Sequence, residues 1–265
     1  MESNPQNYCV VIGDIVESKN LPPTERAEAQ TRLITLLDSV NSVFADDIAA
    51  KGVITQGDEF QILLRTAAGI DIDRFLRLLA IEFSPFKLRI GIGIGGVYTA
   101  IDPQRADTAD GSAYHRAREV LDRLKERPIK AKCAALCAGV ETGNADSDIL
   151  NALFDRLYRD SSKWTPRQVE IIRFLSEPLT RLTYPFDSPS SEYHRFITHM
   201  PEWKQRRVTR IQLIHGERVT YDDAAKALGI VPSTVSRVLA AANYNDCLSD
   251  LSTIAYYLRT SYGNK

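Results

Sequence analysis

Two hydrophobic periods alternate along the chain, and their order outlines the fold. Residues 8–13, YCVVIG, are apolar and β-branched, the pattern of a buried strand, and Asp14 ends it. After Pro22 and Pro23, with Thr24 as the N-cap candidate, Leu33, Leu36, Leu37, Val40, Val43 and Phe44 recur at three- and four-residue spacing. They therefore share one helical face. GVITQGDEFQILL has apolar residues on both sides of Gln56-Gly57-Asp58, which predicts a hairpin with Asp58 and Glu59 at its tip. Helical spacing returns over 69–83 through Ile72, Phe75, Leu76, Leu78 and Leu79. FKLRIGIGIGGVYT predicts a strand with glycine at every second place from Gly91 to Gly95. Glycine along one pleat face calls for a close neighbour, either a helix or a ligand. A charged amphipathic helix over 112–126 and a last strand in AKCAALCAG complete the series.

Strand, helix, hairpin, helix, strand, helix, strand is the order of an α/β (α+β) layer with one mainly antiparallel sheet. This unit, 1–142, closes where ETGNADSD forms a polar linker or cap, and a helix over 147–160 leads into a second, all-α unit, 143–265. In that unit SSKWTPRQVEIIRFL is a capped helix, 178–200 an irregular insertion and EWKQRRVTRIQLIH a basic helix.

YDDAAKALGIVPSTVSRVLAAANY, about 220–242, has the pattern of a helix-turn-helix, and a winged form is the expectation. Ala224, Ala225 and Leu228 face inward, Gly229 makes the turn, Val231 plugs it, Ser233 caps the next helix, and Val235, Val238 and Leu239 face inward again. Ser233, Thr234, Ser236 and Arg237 are left outward, where a recognition helix meets base edges. Lys204, Arg206, Arg207 and Arg210 supply a local basic cluster for phosphates. Either the helix at 165–175 or that at 202–214 precedes the motif in the bundle. A plain helical hairpin is the competing interpretation, and Asp222 and Asp223 are unhelpful beside phosphate.

Composition changes this picture little. The 265 residues are 44% hydrophobic and 25% charged, which excludes wholesale disorder. A net charge of −1 means that any nucleic-acid affinity must be local. No leader or membrane-length apolar run is evident, so a cytoplasmic protein is expected. Cys133 and Cys137 lack a second ligand pair, so the four cysteines are expected to be buried free thiols. GIGIGG does not open a helix in a βαβ unit and is no dinucleotide fingerprint. His115 falls on a solvated face, His194, His199 and His215 show no ligand spacing, and Arg89 either reaches a phosphate or sits on an exposed edge.

Asp14 at a strand end and Asp58-Glu59 at a hairpin tip converge if their strands are neighbours. Paired carboxylates of this kind suit Mg²⁺, which takes one or two of them together with phosphate oxygens. Two-metal phosphoryl transfer uses the same arrangement. The runs VVIGDIVESK, TQGDEFQILL, LRIGIGIGGVYT and DGSAYHRAREVL, with the later TPRQ and STVSR, resemble the SatD family over nearly the whole chain. The N-terminal half is in turn similar to class III nucleotidyl cyclases and, more loosely, to GGDEF diguanylate cyclases. This resemblance implies a ferredoxin-like, palm-type sheet and a homodimer. It implies Mg²⁺ (or Mn²⁺) on Asp14, Asp58, Glu59 and the Ile15 carbonyl, nucleotide contacts at Gly13, Ser18, Gly57 and Arg89, and Arg118 as a catalytic group. Two departures stand out: Ile54 replaces the lysine four residues before the second aspartate, and Tyr114 replaces the asparagine four before Arg118.

The expectation is a DNA-binding regulator whose cyclase-like domain senses an NTP or a derivative with Mg²⁺. The alternative is an enzyme making a cyclic or oligomeric nucleotide, and a third possibility is an interaction module with both motifs degenerate.

Overall fold

A computed structural model describes residues 7–65, 72–131, 135–176 and 220–263. The predicted basic helix with Lys204, Arg206, Arg207 and Arg210, the insertion at 178–200, Cys133 and the three later histidines lie outside the described residues.

The predicted order is realised as β1 (Tyr8–Ile15), α1 (Pro23–Val43), β2 (Ile48–Gln56), β3 (Glu59–Leu64), α2 (Ile72–Glu82), β4 (Leu88–Gly95), α3 (Ser112–Lys125) and β5 (Cys137–Glu141). The result is a mixed α/β fold with a five-stranded sheet in the order β2-β3-β1-β4-β5. β1 runs antiparallel to both β3 and β4, β2 and β3 form the hairpin, and β5 lies parallel to β4. A parallel neighbour requires a crossover, and α3 provides it. α1 starts one residue before the Thr24 cap expected from the sequence, because Pro23 occupies the first turn, where a missing N–H costs nothing and φ is already helical.

Alternation in the strands assigns each face of the sheet. Val11, Phe60, Ile62, Leu64, Ile90, Ile92 and Ile94 join Leu33, Leu37 and Val40 of α1 and Phe75 and Leu79 of α2 in one core. Val10, Ile12 and Leu63 meet Ala113, Ala117 and Leu121 of α3 on the other face. The glycine row settles the choice between helix and ligand, since α3 lies directly on it. A Cβ on Gly91 would come 2.3 Å from the Ala117 carbonyl oxygen, and one on Gly93 would come 2.0 Å from that of Ala113.

Residues 142–146 form a bonded cap: Ser147 Oγ accepts from the Thr142 N–H at 3.0 Å, and Thr142 Oγ1 donates to Asp146 at 2.5 Å. The helices that follow are α4 (Asp146–Ser161), α5 (Pro166–Ser176), α6 (Tyr221–Leu228), α7 (Pro232–Ala241) and α8 (Tyr244–Tyr262). Among the described residues no strand follows β5, so the expected wing has no described counterpart. The first core continues into this part of the chain through Phe154, Trp164, Ile172, Val235, Leu251 and Leu258. Among the described residues no helix is long and apolar enough to cross a membrane. Cys9, Cys137 and Cys247 are buried and free, and burial pushes each thiol up to about 12.

Candidate functional site

Register places Glu59 of β3, Asp14 of β1 and Arg89 of β4 side by side in one row across the sheet. Over this row hang Arg118 and Lys125, seven residues apart and so on one side of α3. Arg118 grips Glu59 with both guanidinium nitrogens, at 2.5 and 2.6 Å. Thr55 Oγ1 lies 3.3 Å from the same carboxylate. Lys125 Nζ stands 3.8 Å from Asp14 Oδ2 and 3.7 Å from Glu59 Oε2, and Arg89 Nη1 lies 3.5 Å from Asp14 Oδ2.

Asp14 is only 6% exposed, and its Oδ1 has no hydrogen-bond partner. Burial pushes its carboxyl up. Arg89 and Lys125 draw it down and the Asp58 charge pushes it up again, leaving it above the usual range. For Glu59 burial also acts upward, but the Arg118 hydrogen bonds and charge, with Lys125 and Thr55, hold it below that range.

Asp58 lies in the two-residue turn with Gly57, whose positive φ of 60° suits glycine. Its carbonyl accepts from the Ile15 N–H at 3.1 Å, which ties the turn to the end of β1. Ser18 Oγ donates to the Asp58 carboxylate, and Gln30 Nε2 donates to the Gly57 carbonyl at 3.2 Å. Gly13 has a packing explanation: a Cβ there would meet the Phe60 ring at 2.5 Å.

Asp14 and Asp58 fit a divalent ion that arrives with phosphate oxygens, because a buried carboxylate oxygen without a partner is a vacant donor and Mg²⁺ needs only one or two such ligands. Glu59 does not fit the same role, since both of its oxygens are held by Arg118. Among the described residues no three His, Cys, Asp or Glu side chains gather as a complete metal cage.

The exposed-edge alternative for Arg89 is incorrect; the side chain is buried beside Asp14. Lys125 was missed in the sequence, where it reads as one more charge at the end of an amphipathic helix. Tyr114 is buried, with its hydroxyl donating to the Ala106 carbonyl at 2.6 Å, and half-buried Ile54 packs against the core. Neither position offers a polar group to the acidic row. His115 is exposed and lies 3.1 Å from Asp110.

A second candidate surface lies on α6 and α7. Thr220 and Asp223 cap α6 reciprocally: the Asp223 N–H donates to Thr220 Oγ1 at 3.1 Å and the Thr220 N–H to Asp223 Oδ2 at 2.9 Å. Asp223 thus has a structural duty at a helix N-terminus, where its charge is favourable. Gly229, at φ 63°, ends α6 in the left-handed region. Two details differ from expectation. Val231 is 58% exposed, and Ile230 packs inward instead, because the Gly229 turn bonds the Ile230 N–H to the Ala225 carbonyl at 2.9 Å. Ser233 is not the cap of α7; Val231 holds that position, with Pro232 in the first turn. Val235 and Leu239 are buried, Ser233, Ser236 and Arg237 are exposed, and Thr234 is half-buried. Among the described residues α5 packs against this pair, tied on by Trp164 Nε1 donating to the Ala242 carbonyl at 2.8 Å, and α8 packs against α7 as well. The alternative helix at 202–214 lies outside the described residues.

A family model described as the SatD family matches residues 8–181. The match takes in the acidic row and α5 and stops before α6 and the STVSR segment. No curated protein matches the chain.

Proposed function

The chain belongs to the SatD family, and from that premise and the site geometry we propose that it is a nucleotide-sensing DNA-binding regulator. The observation that carries the sensing half is the buried, unpartnered Oδ1 of Asp14, on a carboxylate whose other oxygen faces Arg89 and Lys125 and which feels the Asp58 charge, with Arg118 on the neighbouring Glu59. Carboxylates for a Mg²⁺ ion and cations for phosphate oxygens are what an NTP or its derivative presents a need for. The β1-α1-β2-β3-α2-β4 order with sheet order β2-β3-β1-β4, all neighbours antiparallel, supports the ferredoxin-like, palm-type comparison. Mg²⁺, when bound, supplies charge for the polyphosphate. Asp14 and Asp58 hold it, Ser18 orients Asp58, and Arg118 and Arg89 face the phosphates.

The DNA-reading half is a helix-turn-helix formed by α6 and α7, with Ser233, Ser236 and Arg237 of α7 toward base edges and Arg237 its principal contact. A two-fold homodimer would present two such helices about one turn of DNA apart, roughly 34 Å. An enzyme that makes a cyclic or oligomeric nucleotide is the second possibility. It is favoured by Arg118 lying over the acidic row and disfavoured by the absence of base-reading polar groups at Ile54 and Tyr114.

One experiment separates them. Purified protein and an Asp14→Ala, Asp58→Ala variant are incubated with each nucleoside triphosphate and Mg²⁺ or Mn²⁺, then analysed for retained nucleotide and for product. Metal-dependent retention without turnover, lost in the variant, is expected of a sensor. A new product made by the wild type alone would replace the regulator with a cyclase or polymerase. On selected DNA, Arg237→Ala is expected to weaken binding by about 1–3 kcal/mol and to relax specificity; unchanged affinity would remove α7 as the reading helix.

A further inference from the structure

The carboxylates of the acidic row already have cations beside them without a metal. Asp14, Asp58 and Glu59 carry three formal negative charges, and Arg89, Arg118 and Lys125 carry three positive ones. A divalent ion added alone would bring two unbalanced charges to a buried carboxylate's surroundings, which is unfavourable where screening is weak. A polyphosphate added with it reverses that balance. Among the three cations Lys125 differs in kind. Arg118 makes a close bidentate pair and Arg89 is buried in the sheet, whereas Lys125 bridges two carboxylates at 3.7 and 3.8 Å with its side chain 39% exposed. An ammonium on a flexible stem, loosely held between two acids at the mouth of the row, is the cation free to leave.

We infer that Lys125 is a built-in stand-in for the metal: it neutralises Asp14 and Glu59 in the empty site, and it turns to the phosphates when a divalent ion arrives with a polyphosphate. Lys125 is on this account a positioning residue that makes metal binding depend on the polyphosphate. The inference rests on the nucleotide-sensing role of the Asp14 site proposed above.

The test is titration of the full-length protein with Mn²⁺ alone and with Mn²⁺ plus inorganic tripolyphosphate, a probe that needs no assumption about the base. Binding is read as the excess Mn²⁺ held in the protein compartment at equilibrium dialysis, because tripolyphosphate by itself takes up free Mn²⁺ in solution. Wild type should bind Mn²⁺ weakly alone and at least about tenfold more tightly with tripolyphosphate. Lys125→Met should bind Mn²⁺ alone about tenfold more tightly and lose most of the enhancement, while Lys125→Arg, which keeps the charge, should stay near wild type. The exposed position of Lys125 makes a folding failure unexpected, and the thermal midpoint of each variant checks it. If wild type shows the enhancement, Asp14→Asn abolishes it and Lys125→Met leaves it unchanged, the role of Lys125 is overturned while the site stands. If no protein binds Mn²⁺ with or without tripolyphosphate, the sensing site itself is overturned, and Lys125 with it.

Discussion

Glu59 and Asp14 sit opposite each other on neighbouring strands, yet their surroundings push them in opposite directions. Glu59, held low by Arg118, is a carboxylate whose folded value lies below its unfolded one. Its contribution to stability is full above the ordinary carboxyl value of about 4.3 and is lost as pH falls through the lowered folded value. Asp14 has the reverse sign: its folded value is raised, so ionising it costs stability as pH rises from the ordinary carboxyl value through the folded one. A site that keeps such a costly acid is a candidate for function rather than for stability. Glu59→Gln should lose about 1–3 kcal/mol near neutral pH in urea unfolding, since it leaves the Arg118 charge without its partner. The gap from wild type should close below a pH of about 4. A gap that stays constant with pH would mean that the pair contributes through shape alone.

At the scale of elements, the contact of α3 with β4 governs where Arg118 and Lys125 stand. Close approach there depends on Gly91 and Gly93, because backbone atoms of α3 occupy the space a side chain would need. Gly93→Ala cannot be relieved by a rotamer change; it must lift α3. It should destabilise the chain by about 1–3 kcal/mol or more in thermal or denaturant unfolding. The same lift should loosen the Arg118–Glu59 pair and weaken any Mn²⁺–tripolyphosphate binding. A stable Gly93→Ala protein with unchanged binding would show that α3 does not set the site. Gly57→Ala offers a contrast, since nothing lies within 4 Å of a Cβ there and its cost is confined to the positive φ.

For the whole molecule, one apolar core reaches from Val11 and Ile92 in the sheet through Phe154 and Ile172 to Leu251 and Leu258 of α8. A continuous core of this sort should unfold as one cooperative unit. Two buried thiols report on its ends: Cys9 in β1 and Cys247 in α8. Leu251→Ala should cost about 2–5 kcal/mol and lower the denaturant midpoint at which both thiols become reactive by the same amount. Labelling of Cys247 well before Cys9 would show instead that the C-terminal helices open separately. The packing is also continuous from the sheet layer to α7, because α7 packs on α5 and α8, which pack on α2.

Local periodicity alone determined the order of strands and helices, the presence of the hairpin and the glycine face of β4, because backbone geometry imposes those periods on any stretch that must bury one side. It put Glu59 at the hairpin tip, whereas the turn is Gly57-Asp58 and Glu59 is the first residue of β3. It also placed Asp14 at a strand end and left Ser236 and Arg237 outward on α7. Tertiary structure decided everything that depends on distance between elements. Whether a helix or a ligand covers the glycines, whether Glu59 is a free acid or an arginine's partner, and whether Arg89 lies at an edge or inside all follow from sheet register and from the azimuth of α3. So does the place of Lys125, 111 residues along the chain from the Asp14 carboxylate it neutralises. At the α6–α7 turn a single left-handed glycine exchanged the places of Ile230 and Val231. Charges find partners through space, and a pattern along the chain carries the type of each group but not the direction in which the fold will point it.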